Sequence, residues 1–86
     1  IPKIAAKVGV GEKTQQAAIE ILRKAEKIKT TAGKDPMGLA AAALYIACVM
    51  NDEKRTQKMI ADAAGVTEVT IRNRYKGLKE SLKLNI

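Results

Sequence analysis

The stretch Asp35-Pro-Met-Gly-Leu-Ala-Ala-Ala-Ala-Leu-Tyr-Ile-Ala-Cys-Val-Met50 decides the fold. Asp35 offers a side-chain oxygen to a free backbone N–H, and Pro36 suits the first helical position, where a missing N–H costs nothing. A helix is therefore expected to start here and to run to Met50. No charge follows until Asp52. A helix that is apolar on every side has to be surrounded by other helices. Four consecutive alanines, Ala40 to Ala43, let those neighbours come close. The run is shorter than the ~20 apolar residues that span a bilayer, and Gly38 and Tyr45 interrupt it. It reads as the central helix of a bundle.

The flanks read as helices too, with no sustained apolar/polar alternation that would mark a strand. Pro2 to Val8 suits a short helix, stopped by Gly9 and Gly11. Thr14 is the expected N-cap of the next helix. Its inner face is Ala18, Ile21, Leu22, Ala25 and Ile28, with Glu20, Arg23, Lys24 and Lys27 in water. Gly33 is the expected stop. After the central helix, 51–55 is a polar connection. Thr56 caps a short helix, Gln57 to Ala64. Gly65-Val66 is a turn, and Thr67 caps a last helix that runs to about Leu82. Short connections imply one compact all-α domain over 1–86.

Composition narrows the function. The chain has 86 residues, no Trp, no Phe and two Tyr, so the core must be built from Ala, Ile, Leu, Val and Met. One cysteine, Cys48, excludes an internal disulfide, and the uncharged run around it makes a buried thiol the expected state. Without histidine there is no Cys/His zinc site. Glu20, Glu26, Asp52, Glu53 and Asp62 form no catalytic pair, and Gly9-Val-Gly11 is too short for a phosphate loop, so no enzyme, metal or cofactor is expected. The first residue is Ile, which suggests an excised domain, and no signal peptide is evident. Sixteen basic residues against nine acidic ones give a net charge of +7. From Lys54 onward there are eight Lys or Arg against three acids, a surplus that suits a polyanion.

That basic segment contains Gln57-Lys-Met-Ile-Ala-Asp-Ala-Ala-Gly-Val-Thr-Glu-Val-Thr-Ile-Arg72, which has helix-turn-helix spacing, with the unit expected within 56–82. Ala61 sits where the two helices approach. Gly65 can take the left-handed conformation that turns the chain. Ile60, Val66 and Ile71 fill the space between the helices, and Glu68 suits the positive end of the helix dipole. At about 100° per residue, Ile71, Tyr75, Leu78 and Leu82 turn inward, while Val69, Arg72, Asn73 and Lys76 share the opposite face. Arg grips guanine through O6 and N7, Asn pairs with adenine, and Val touches a thymine methyl. These four are the expected base contacts. Arg55, Lys58 and Arg74 are the expected phosphate contacts, with Thr56, Gln57, Thr67 and Thr70 beside them at the helix N-termini. Two helices joined by a glycine turn also occur in purely structural bundles, and a basic face is often only solvated. An outward valine is what such bundles have no use for.

Three blocks, Gly33-Lys-Asp-Pro-Met-Gly-Leu-Ala-Ala-Ala-Ala-Leu-Tyr-Ile-Ala47, Arg55-Thr-Gln-Lys58 and Ala64-Gly-Val-Thr-Glu-Val-Thr-Ile-Arg-Asn-Arg-Tyr75, resemble in order the second cyclin-like repeat of archaeal transcription initiation factor B. That family is the counterpart of eukaryotic general transcription factor IIB. The resemblance covers nearly the whole chain. It implies a five-helix cyclin-like fold whose last two helices enter the major groove at the B recognition element, upstream of the TATA box. It implies base contacts from Val69 and Arg72. It further implies double-stranded promoter DNA and the TATA-box-binding protein as partners, RNA polymerase through the full-length factor, and a cytoplasmic, nucleoid-associated place in an archaeal cell. Full-length members carry a zinc ribbon, a linker and a first repeat that this stretch lacks, and its first helix looks truncated.

Two rival readings share the same residues. A cyclin-like bundle can be a protein-interaction module, with Val69 as a contact for a partner helix. A sequence-specific repressor would use the same motif as a dimer. No dimer helix is evident, so a monomer is expected.

Overall fold

In a computed structural model, residues 6–27 and 36–83 are described. Among the described residues the secondary structure is all-helical, in five helices, and no strand occurs. Helix α1 is described over 6–8. It is followed by α2 (Glu12–Lys27), α3 (Pro36–Met50), α4 (Gln57–Ala64) and α5 (Glu68–Ser81). The expected five-helix cyclin-like architecture is thus the observed one. Expectations for 1–5, for Ile28 and for the break at 28–35, including the Gly33 stop and the Asp35 cap, lie outside the described residues.

Helix α3 is the centre. Leu39, Ala41 to Leu44, and Ile46 to Cys48 are buried along it. Val8 and Val10, Ala18, Ile21 and Ala25 of α2, Ile60 and Ala61 of α4, and Ile71 and Leu78 of α5 pack into the same core. Ala41, Ala42, Ala43 and Ala47 are fully buried, so backbones approach closely at α3 and no large aromatic is needed to fill space. The two tyrosines meet at its margin. Tyr45 of α3 and Tyr75 of α5 stack edge to face, with centroids 5.4 Å apart and planes at 83°. Cys48 is buried, as its setting suggested.

Helix α2 corrects one expectation. It starts at Glu12, two residues before the anticipated cap. Thr14 is fully buried inside the first turn and donates its hydroxyl proton to the Glu53 carboxylate. The same carboxylate accepts the Gly11 N–H, at 3.1 Å to Oε1 and 3.3 Å to Oε2. In a capping box, a side chain in the helix's own first turn reaches back to the N-cap amide. Here that acceptor comes from a residue 42 positions away. These two hydrogen bonds hold the Glu53 pKa below the usual carboxylate range. Burial opposes them, and the nearby Arg55 charge adds to the lowering.

The remaining ends are built locally. Helix α1 stops at Gly9, whose φ of 71° only glycine takes easily. Helix α3 stops at Asp52 (φ 56°), where the Glu53 N–H returns to the Cys48 carbonyl at 2.9 Å. Helix α4 stops at Gly65 (φ 73°, ψ 30°), and the Val66 N–H returns to the Ala61 carbonyl at 3.0 Å. A Cβ on Gly65 would meet nothing within 4 Å, so only backbone strain opposes a substitution there. Gly65→Ala is therefore expected to destabilise by about 1–2 kcal/mol in urea unfolding, and Gly65→Asn by less. Equal losses for Ala and Asn would mean that something other than the left-handed backbone is at stake.

Candidate nucleic-acid interface

Helices α4 and α5, joined by 65–67, carry the candidate site. Each starts on a threonine in extended conformation. The Thr56 hydroxyl accepts the Met59 N–H at 3.1 Å. The Thr67 hydroxyl accepts the Thr70 N–H at 3.1 Å and lies 3.0 Å from the Thr70 hydroxyl. Each threonine satisfies one of the free amides of its helix's first turn. Ile60 and Ala61 are buried in α4, Ile71 and Leu78 in α5, and Val66 packs half-buried against them. Ile60, Ala61 and Ile71 are therefore buried, and Val66 half-buried, as expected of residues that face inward.

The outward face of α5 is also as the periodicity has it. Arg72, Asn73 and Lys76 are exposed, and Val69 is 56% exposed, the most open of the large apolar side chains among the described residues. Tyr75 and Leu82 are half-buried on the inner side. An arginine fork, an amide, an ammonium and a small apolar group thus share one helical face, held from behind by a buried one. This arrangement can present donors and a methyl-sized contact to a groove.

The flanking residues divide. Thr56, Lys58 and Thr67 are exposed, and Gln57 and Thr70 are half-buried at the two helix starts. Arg74 is half-buried, with its Nε shielded and lacking a hydrogen-bond partner. Arg55 is half-buried and hydrogen-bonded to backbone carbonyls. Its Nε donates to the Val8 carbonyl at 2.6 Å, Nη2 to the Gly9 carbonyl at 3.0 Å and Nη1 to the Lys54 carbonyl at 3.0 Å. The sequence reading gave no role to Met59, which is 45% exposed on α4. It also gave none to Glu53, whose partners lie on a distant helix and leave no local pattern to read. Among the described residues no cluster of three metal-ligating side chains occurs, and no helix is long and apolar enough to cross a membrane.

Residues 1–81 match the profile of the transcription factor TFIIB repeat. The chain is 56% identical over all 86 residues to a transcription initiation factor IIB of Sulfurisphaera tokodaii, covering 28% of that protein. It is 54% identical to the transcription initiation factor IIB of Pyrococcus furiosus, covering 29% of it, and 52% identical to that of Archaeoglobus fulgidus, covering 26%. The chain thus spans little more than a quarter of the length of these relatives.

Proposed function

The chain belongs to the TFIIB-repeat family, and from that premise we propose that it is a promoter-reading module of a general transcription initiation factor. In this reading it is the second cyclin-like repeat, a single domain over 1–86. Its helix-turn-helix, α4 and α5, enters the major groove at the B recognition element while the TATA-box-binding protein holds the adjoining TATA box. Recruitment of RNA polymerase belongs to the full-length factor. The carrying observation is the face of α5. Val69 stands open to solvent beside Arg72, Asn73 and Lys76, on a helix whose opposite face is buried, in a basic segment.

Roles follow from chemistry. Arg72 reads guanine through a bidentate fork, Asn73 and Lys76 reach neighbouring base edges, and Val69 meets a thymine methyl. Lys58 and Arg74 neutralise phosphates. Thr56, Gln57, Thr67 and Thr70 bring hydroxyls, an amide and the helix N-termini to the DNA backbone.

Gel-shift titration tests this, using a TATA promoter with its natural upstream flank or a scrambled one. Each is run with and without the TATA-box-binding protein at two salt concentrations. Preference for the natural flank is expected. Binding that is salt-sensitive but indifferent to the flank would leave only a generic basic domain. Lys58→Ala is expected to weaken binding to every sequence alike and to lower the slope of log K against log salt by about one. An unchanged slope would remove Lys58 from the phosphate set. The rival reading, a protein-interaction module, draws on Val49 and Met50, which are exposed at the end of α3. Absence of DNA binding in every condition would favour it.

A further inference from the structure

Glu53 and Arg55 sit in the connection between α3 and α4, and both reach back to the turn between α1 and α2. Arg55 grips the carbonyl end of α1, at Val8 and Gly9. Glu53 grips the amide end of α2, at Gly11 and Thr14. Each charge therefore meets the helix end of opposite partial charge. The local backbone is shaped for both grips. The α3 terminus at Asp52, closed by the Glu53 N–H on the Cys48 carbonyl, launches Glu53 towards α2. A Cβ on Gly11 would lie 3.3 Å from Glu53 Oε1, so glycine leaves the carboxylate room to approach. On the far side of Arg55, the next residue is Thr56, the N-cap of α4.

Helix α4 needs such an anchor. It has eight residues, with Ile60 and Ala61 buried. A helix that short has little stability of its own and takes its pose from what holds its ends. At its other end, Lys7 Nζ lies 3.5 Å from the Ala63 carbonyl, so residues of the α1 turn touch the polypeptide at both ends of α4.

We propose that Glu53 and Arg55 are positioning residues for DNA recognition. They clasp the α1–α2 turn, set the pose of α4 and, through the Gly65 turn, the pose of α5, without touching DNA themselves. Only the DNA-binding consequence rests on the promoter-reading role; the clasp itself stands without it. Arg55 is thereby assigned to the fold and not to a phosphate.

Lysine separates the two roles. It keeps the charge that a phosphate needs but has no planar fork to bridge two carbonyls. The experiment compares wild type, Arg55→Lys, Arg55→Gln and Glu53→Gln in two measurements. The first is amide hydrogen exchange of the free chain. The Ile60 and Ala61 amides are expected to exchange about tenfold faster in all three variants, the order expected from losing a hydrogen bond to a charged group, while those of Leu44 and Ile46 keep their rates. The second is DNA affinity as a function of salt. Arg55→Lys is expected to lose affinity as Arg55→Gln does, about five- to tenfold, with an unchanged salt slope.

Exchange in α4 within about twofold of wild type overturns the clasp, and so does equal acceleration in α3 and α4, which would mean a global loss of stability. Wild-type binding by Arg55→Lys, with the slope reduced by about one in Arg55→Gln, would make Arg55 a phosphate contact instead. Should the wild-type chain fail to bind DNA, the promoter-reading role falls while the exchange data still decide the clasp.

Discussion

Leu44→Ala is expected to destabilise the chain by about 2–5 kcal/mol, the largest effect of any single truncation. Leu44 is fully buried on α3, the helix against which α2, α4 and α5 pack. The penalty has two parts, the lost transfer of the side chain out of water and the cavity left behind. The second part should be near its upper range here. Ala41, Ala42, Ala43 and Ala47 are buried on the same helix, and alanines have no reach with which to refill a hole. Each kcal/mol lowers the melting temperature of a domain this size by about 4–8 °C, so the loss is readable by circular dichroism. A drop below about 1 kcal/mol would mean that the core collapses around the gap.

Arg72→Ala should do the reverse. Its side chain is exposed on α5, and a surface substitution of this kind moves stability by about 0.5 kcal/mol or less. On the proposed promoter-reading role, binding to the natural promoter flank is expected to weaken by about 1–3 kcal/mol, roughly five- to 150-fold, the cost of losing one bidentate contact to a base pair. Discrimination at that base pair should relax with it. Measured affinities for a set of single-base variants of the flank decide the matter. An equal loss on all of them would reduce Arg72 to a phosphate contact, and no loss would remove the outward face of α5 from the interface. Together, Leu44 and Arg72 separate what the fold needs from what recognition needs.

Where a feature is made by residues close in sequence, it was legible before any coordinates. The apolar run of α3 demanded neighbours on all sides. Thr56, Gly65 and Thr67 mark the ends of α4 and α5 because each acts on amides or carbonyls within one turn of itself. The division of α5 into a buried face and an open face follows from its period alone, and Ile71, Leu78, Val69 and Arg72 fall on the expected sides.

Features made at a distance were not legible. Thr14 has the chemistry of an N-cap and a place at the start of a helix, yet its hydroxyl serves the carboxylate of Glu53, which follows α3 in the chain. Arg55 looks like any other basic residue of a DNA-binding segment. Its hydrogen bonds to the Val8 and Gly9 carbonyls, 47 and 46 positions away, leave no trace in the sequence pattern. Arg74 lies next to exposed Asn73 yet is half-buried, because one residue of rotation separates the open face from the flank. Charge can be counted in a sequence, but the partner that a charge chooses across the fold cannot.

Cys48 lies in the wall of the core, and burial pushes its thiol up to about 11, with the Glu53 charge adding to the rise and Arg55 opposing it. At neutral pH only about one thiol in 10⁴ is ionised at such a value, and the thiolate is the form that reacts. An alkylating reagent therefore modifies Cys48 only in molecules whose central helix has come open. The chain has no tryptophan to report on its unfolding by fluorescence. Its single cysteine supplies a chemical clock in place of an optical one, timing each breach of the bundle from within.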